Sequence, residues 1–154
     1  MSRYYFRPQI IYHPPAELLP PGFKFPKAYL DFIHQEEVVA LYPWFPMCFA
    51  ERREYYDHWV ASLKREFPER QFVPFAKDEE GDVVACFELS DNPECPDIHH
   101  ILAFTTPEWT VLDEGPGGDF DAWLEVIKKY SFKYQEEHPD VLYGFIYDLI
   151  ERPE

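Results

Sequence analysis

The chain has 154 residues, the usual size of one domain, and 46% of them are hydrophobic, which is enough for a substantial core. Aromatic residues make up 19% of the sequence, which argues against a disordered chain. The 29 Asp and Glu residues exceed the 14 Lys and Arg residues and leave a formal net charge of −15, so contact with nucleic acid or an anionic membrane surface is electrostatically unfavourable. A basic protein is the partner that this charge favours, and the alternative is that the acidity only keeps the protein soluble.

Cysteine usage and the N-terminal sequence predict a protein of the cytoplasm. Cys48, Cys86 and Cys95 are odd in number and lack C-x-x-C spacing, so neither a disulfide framework nor a zinc site is indicated. The first eight residues contain no continuous apolar stretch with a small-residue cleavage site, which argues against a secretory signal. The longest uncharged run, residues 38–50, is too short to span a bilayer.

The first 25 residues are rich in proline and aromatic side chains, and residues 26–154 are predicted to form one domain. The prolines of this first stretch are Pro8, Pro14, Pro15, Pro20 and Pro21. Because proline cannot continue a helix, regular helix is blocked over most of the stretch. We therefore expect an extended arm that lies on the domain.

Two amphipathic helices are predicted next, on either side of the proline-broken segment 42–46. Pro26 suits the first turn of a helix, and the apolar spacing that follows predicts a helix over residues 26–37. In the second helix the apolar side chains form one stripe, and Pro68 ends the helix. The members of the stripe are Tyr56, Trp59, Val60, Leu63 and Phe67.

The middle third is predicted to be mostly sheet, because short β-prone runs alternate with turn residues. The first two strands, 71–76 and 82–89, form a hairpin around the polar turn 77–81, in which Gly81 can take a positive φ. Two more strands are predicted over residues 98–104 and 109–112.

The C-terminal third is predicted to hold two helices. Asp119 can cap the first, and an apolar stripe that begins with Phe120 and Trp123 follows it. A last helix is predicted after Pro139. The apolar residues that predict it are Val141, Leu142, Phe145, Ile146, Leu149 and Ile150.

Three segments between residues 25 and 127 resemble the SUKH superfamily, which includes the SMI1/KNR4 domain. Residues 25–33, Phe-Pro-Lys-Ala-Tyr-Leu-Asp-Phe-Ile, are similar to the helix motif of that family. Phe75 and Ala76, followed by an acidic turn that ends in Gly81 and Asp82, are similar to its central motif. The Trp-bearing strand and the Phe-led helix over residues 109–127 are similar to its closing piece.

The resemblance implies an α+β fold in which helices pack against a curved, mainly antiparallel β-sheet. Many bacterial members of the family look like immunity proteins that neutralise toxins, nucleases among them. Together with the acidic charge, the resemblance implies a binding protein that captures a cognate basic toxin. An intracellular scaffold or small-ligand binding module of the same fold is the alternative, since fold does not fix function. Catalysis is not predicted, because no nucleophile elbow, zincin helix or Gly-rich loop with lysine is present.

The candidate partner-binding residues are acidic residues at two turns and two aromatic residues of the proline-broken segment. Carboxylates at turns stand in solvent and can meet a basic face, although turns are acidic in many proteins. Tyr and Trp are enriched where interfaces carry most of their energy, but such residues are more often core. We expect Tyr42 or Trp44 to be partly exposed and Trp59, Trp109 and Trp123 to be buried. The candidates are Asp78, Glu79, Glu80, Asp82, Asp113, Glu114, Tyr42 and Trp44.

No metal or cofactor is predicted. Cys95, Asp97, His99 and His100 are metal-ligand types, but adjacent residues of a strand point to opposite faces, so the two histidines cannot easily share one ion. The Gly-rich loop 114–119 has no lysine after it and carries carboxylates at both ends, which repel phosphate.

Overall fold

The computed structural model describes residues 2–49, 53–103, 108–112, 118–140 and 149–153. Within these ranges the chain forms three α-helices and eight β-strands, and the strands make two antiparallel sheets. Helices pack against the larger sheet. The predicted α+β fold is therefore confirmed, whereas the curvature of the sheet stays a prediction.

The helices are α1 (Lys27–Ile33), α2 (Arg53–Glu66) and α3 (Phe120–Glu137). The strands are β1 (Ser2–Phe6), β2 (Val38–Val39), β3 (Trp44–Pro46), β4 (Phe72–Asp78), β5 (Val83–Glu88), β6 (Asp97–Leu102), β7 (Thr110–Leu112) and β8 (Ile150–Pro153). Among the described residues, the larger sheet has the order β3-β4-β5-β6-β7 and the smaller one the order β2-β1-β8.

The larger sheet is buried on both faces. Along β5, Val84 and Cys86 pack with α2 on one face, whereas Ala85 and Phe87 pack with α1 and α3 on the other. Successive side chains of a strand point to opposite faces, and here both sets are apolar. The fold therefore has a central sheet between α2 on one side and α1 with α3 on the other.

Helix α2 buries the apolar stripe that the sequence predicts. Tyr56, Trp59, Val60 and Leu63 are all buried, and the Tyr56 hydroxyl donates a 2.9 Å hydrogen bond to the carbonyl oxygen of Pro74 in β4. A buried phenol needs such an acceptor, so the bond fixes the helix on the sheet as well as satisfying a polar group.

Helix α1 is shorter than the predicted span of residues 26–37. Pro26 is its N-cap, and His34 is its C-cap, with a backbone N–H that donates to the carbonyl oxygen of Leu30. The chain then turns so that β2 can pair with β1, where Val39 lies opposite Tyr5. The pairing of β2 with β1 therefore ends the helix at His34, although the sequence pattern predicts that the helix continues to residue 37.

The N-terminal stretch contributes to the core. Strand β1 pairs with both β2 and β8, and the side chains of Phe6 and Phe23 are buried in the main cluster. One turn of 3-10 helix, Ala16–Leu18, interrupts the otherwise irregular path that leads to α1.

Two local predictions are wrong. The segment 42–46 was treated as broken by its prolines, yet it contains β3, which pairs with β4 at the edge of the larger sheet, where Pro46 costs no central ladder bond. Gly81 does not take a positive φ; the neighbouring Asp82 does, with φ of 53°. Aspartate tolerates this left-handed conformation better than most residues.

The end of the chain differs from the prediction as well. Helix α3 runs to Glu137, well beyond the predicted stripe. Residues 141–148 of the predicted last helix lie outside the described residues, and Ile150, which was expected to belong to it, begins strand β8. None of the described helices is both long and apolar enough to cross a bilayer.

Candidate functional site

Asp78 was predicted to stand in solvent at the hairpin turn, and that prediction is wrong. Strand β4 continues through Asp78, whose residue pairs with Val83 and is only 8% exposed. Its Oδ1 accepts hydrogen bonds from the backbone N–H groups of Glu80 at 2.9 Å and Gly81 at 3.1 Å. Burial raises the pKa of the Asp78 carboxyl, although these two N–H groups and Lys77 act in the opposite direction. Asp78 therefore shapes the turn and is not a surface contact.

The turn built by Asp78 projects Glu79 and Glu80 into solvent. The Nζ of Lys77 lies 3.9 Å from the carboxylate of Glu79, a loose pair that leaves this carboxylate largely hydrated. The Tyr42 hydroxyl donates a short hydrogen bond to the carboxylate of Glu80, and this bond is the main reason that the pKa of Tyr42 is raised. The structure thus brings together Tyr42, Glu79 and Glu80, three of the candidate partner-binding residues, and their contact with a partner stays a prediction.

Tyr42 lies beside two tyrosines of α3 that the sequence analysis did not identify as candidate contacts. The ring centroids of Tyr42 and Tyr134 are 5.9 Å apart, and those of Tyr134 and Tyr130 are 6.2 Å apart. Tyr130 is 47% exposed, as is Val126 one turn earlier. The signal for these residues is their spacing, since positions 126, 130 and 134 are four residues apart and form a row that flanks the buried stripe of α3.

We call Tyr42, Glu79, Glu80, Tyr130 and Tyr134 the tyrosine–carboxylate surface. Partial desolvation, together with the negative charges of the turn, raises the pKa of both Tyr130 and Tyr134. The phenols therefore stay protonated and can donate hydrogen bonds at neutral pH.

Polar side chains that are buried in the interior hold this surface in place. Ser131 donates from Oγ to the carbonyl oxygen of Tyr42 at 2.7 Å. Gln135 donates from Nε2 to the carbonyl oxygen of Ala40 at 3.1 Å and to Oγ of Ser131 at 2.8 Å. The segment that carries Tyr42 is thus tied to the helix that carries Tyr130 and Tyr134.

Two of the other predicted contacts, Trp44 and Asp82, are buried or half-buried. Trp44 is only 4% exposed and packs against His100 and Trp123, so the prediction that it contacts a partner is wrong. Asp82 is half-buried, and its carbonyl oxygen accepts from the backbone N–H of Ala103. The predicted contacts Asp113 and Glu114 lie outside the described residues.

Several carboxylates elsewhere are neutralised by arginine. Glu37 accepts from Arg152 at 2.6 Å and from Arg7 at 3.1 Å, which lowers the pKa of its carboxyl. Glu88 accepts a 2.8 Å bond from Arg70, and its carboxyl pKa is lowered as well. Arginine thus reduces the negative potential around Glu37 and Glu88 more than it reduces the potential around the hairpin turn that carries Glu79 and Glu80.

His99 and His100 point to opposite faces of β6, as predicted. Nε2 of His99 lies 3.0 Å from the carboxylate of Glu88, whereas Nε2 of His100 accepts a 2.9 Å hydrogen bond from the indole N–H of Trp123. Burial lowers the pKa of His100 to about 4, so its ring is neutral and accepts this bond. The described residues include no group of three or more His, Cys, Asp or Glu that could hold a metal ion.

A cleft of about 420 Å³ lies between the smaller sheet and α3. Arg3, Lys128 and Arg152 line it together with the aromatic rings of Tyr5 and Phe132. Each of the three cationic side chains also pairs with a glutamate carboxylate. The cleft is within the usual size range of small-molecule sites, and its cations favour an anionic ligand.

Comparison with known proteins gives no relative. No protein-family model matches the chain, and neither a curated protein sequence nor a solved structure is significantly similar to it. The resemblance to the SUKH superfamily therefore stays a prediction.

Proposed function

We propose that this protein binds a basic protein partner through the tyrosine–carboxylate surface, and that the partner is a cognate toxin that the binding neutralises. The observation that supports this proposal is the cluster formed by Tyr42, Glu80 and Tyr134, in which an exposed carboxylate meets two half-buried aromatic rings. The toxin part rests on the SUKH resemblance. No catalytic step is assigned.

Tyrosine is well suited to such a surface. It supplies a large contact area with few rotatable bonds, so that little conformational entropy is lost on binding. Tyr130 and Tyr134 are presented on a regular helix, and Tyr42 is fixed by Ser131, so the surface is ordered before a partner arrives. We expect these rings to supply most of the interface energy.

The carboxylates have a different role. Glu79 and Glu80 project from a turn that Asp78 fixes, in a chain whose net charge is −15. Such a field accelerates encounter with a positively charged protein, and salt screens it with a Debye length of about 8 Å at physiological ionic strength. Added salt should therefore slow association more than it speeds dissociation.

We place this binding in the cytoplasm. Cys48, Cys86 and Cys95 are free thiols, and two of them are buried. Unpaired thiols are the usual state in a reducing compartment.

The experiment co-expresses the protein with a candidate toxin encoded by a neighbouring reading frame and measures cell growth and the dissociation constant of the pair. Tyr134→Ala should weaken binding at least about tenfold, and the pair Glu79→Lys and Glu80→Lys should mainly lower the association rate. The pair Glu66→Lys and Glu69→Lys, at exposed positions at the end of α2 and just after it, makes the same change in charge and is the control that should change neither. A toxin that stays fully active with this protein in excess contradicts the proposal.

The cleft supports a second candidate, the binding of a small anionic ligand by the same fold. Arg3, Lys128 and Arg152 would pair with a carboxylate or phosphate group. Thermal unfolding in the presence of small dicarboxylates and phosphate esters tests it. A rise in midpoint that Lys128→Met abolishes supports this candidate, and no rise with any ligand contradicts it.

A further inference from the structure

His13 in the N-terminal stretch and His34 at the end of α1 lie side by side, although 21 residues separate them in the chain. Their Nε2 atoms are 3.3 Å apart, the ring centroids are 5.1 Å apart and the ring planes are within 14° of parallel. Both residues are exposed, so water and dissolved ions reach them.

The hydrogen bond of the His34 ring determines which of its nitrogens is free. Nδ1 of His34 lies 2.7 Å from the carbonyl oxygen of Leu30. A carbonyl oxygen can only accept, so Nδ1 carries the proton and Nε2 of the neutral ring presents its lone pair to His13. This arrangement, with one ring nitrogen bonded to a backbone carbonyl, is the one that metal-binding histidines usually have.

The separation of the two Nε2 atoms also fits a metal site. Two nitrogens that are each about 2.0–2.1 Å from a tetrahedral zinc ion lie about 3.3–3.4 Å apart. We propose that His13 and His34 bind a divalent transition-metal ion of the zinc type through Nε2, with water in the remaining coordination positions. The acidic chain favours this by raising the local concentration of cations.

Without a metal, the same two rings can share a hydrogen bond in which His13 donates from Nε2. Metal binding replaces that proton, and His13 then carries its proton on Nδ1. The ion would fasten the N-terminal stretch to α1, because it binds the folded chain, in which the two rings meet, better than the unfolded one. The site shares no residue with the tyrosine–carboxylate surface, and its occupancy does not depend on a protein partner.

The test is calorimetric titration of zinc chloride into the untagged, metal-free full chain. We expect one ion per chain, an affinity that falls by more than about tenfold in His34→Ala, and an upward shift of the thermal midpoint with zinc in the wild type only. His58→Ala, which removes an exposed histidine of α2, is the matched control and should bind as the wild type does.

His13→Gln separates metal binding from the hydrogen bond. The Gln amide can still donate to Nε2 of His34, but it is a poor zinc ligand. Retained folding by circular dichroism with loss of zinc binding supports the proposal. Zinc binding that persists in both His13→Gln and His34→Ala, or no binding by the wild type, overturns it.

Discussion

The hydroxyl of Ser131 donates a 2.7 Å hydrogen bond to the carbonyl oxygen of Tyr42, which precedes it by 89 residues. Ser131 is fully buried, and its Oγ also accepts from Nε2 of Gln135. A buried carbonyl without a hydrogen-bond donor is costly in free energy. The hydrogen bond between Ser131 and Tyr42 therefore fixes the distance of α3 from the sheet and the position of the Tyr42 ring.

Ser131→Ala should therefore destabilise the protein. The substitution removes a donor to the Tyr42 carbonyl and the acceptor of one Gln135 N–H, which should lower the free energy of unfolding by about 1–3 kcal/mol in urea titrations. Ser90→Ala is the control, because Ser90 makes its hydrogen bonds at the surface, and a change within about 0.5 kcal/mol is expected. Equal effects of the two substitutions would show that the buried bond contributes nothing.

Asp78 should respond differently to two substitutions. Asp78→Ala removes the acceptor of the Glu80 and Gly81 backbone N–H groups and should cost about 1–2 kcal/mol of unfolding free energy. Asp78→Asn keeps that acceptor and removes a buried charge.

The sign of the Asn effect follows from the pKa shift. A carboxyl whose pKa is raised in the folded state is favourable while protonated at low pH, and it loses that contribution as pH rises through the folded-state pKa. Asp78→Asn should therefore be as stable as the wild type at pH 7, or more stable. A loss equal to that of Asp78→Ala at this pH contradicts the role given to Oδ1.

His100 should make stability depend on pH in the mildly acidic range. Its pKa is about 4 when folded and about 6.5 when unfolded, so between these values the unfolded chain binds a proton that the folded chain refuses. Stability should fall by up to about 3 kcal/mol as pH decreases from 6.5 to 4. His100→Gln keeps an acceptor for Trp123 and should flatten this part of the curve, whereas His138→Gln at an exposed position should not.

Single-Trp variants should report how each indole is buried. Trp44, Trp59 and Trp123 are between 2% and 4% exposed, whereas Trp109 is half-buried. Acrylamide should quench the variant that keeps Trp109 several-fold more efficiently than the other three. Strong quenching of the variant that keeps only Trp44 would show that this indole is exposed, and Trp44 would again be a candidate partner contact.

The sequence predicts best those elements whose pattern is local. The stripe of α2, the hairpin of β4 and β5, and the capping of α3 are all confirmed, and Asp119 accepts from the backbone N–H of Ala122 as a cap should. Each of these three predictions depends on residue spacing within the element or on one side chain next to it.

Long-range pairing explains what the sequence does not predict. Within the described residues 2–25 strand β1 has no partner; it pairs with β2 and β8, which follow later in the chain. Helix α3 continues because Ser131 and Gln135, which read as polar interruptions, face carbonyl groups of the segment 40–42.

Of the candidate site, sequence reasoning predicted the acidic turn and Tyr42 but assigned the wrong role to Asp78. The buried state of Asp78 depends on β4 extending two residues beyond the predicted strand. Tyr130 and Tyr134 were missed because a tyrosine at the edge of the apolar stripe of a helix has no distinctive local pattern.

The most direct test of the tyrosine–carboxylate surface is site-specific photo-crosslinking in the cells that produce the protein. A benzophenone amino acid replaces Tyr130 in one variant and the exposed Lys64 of α2 in the other, and mass spectrometry identifies what is joined to each. We predict a discrete complex with a basic protein from position 130 and none from position 64. No complex from position 130, or the same complex from both positions, would contradict the proposed surface.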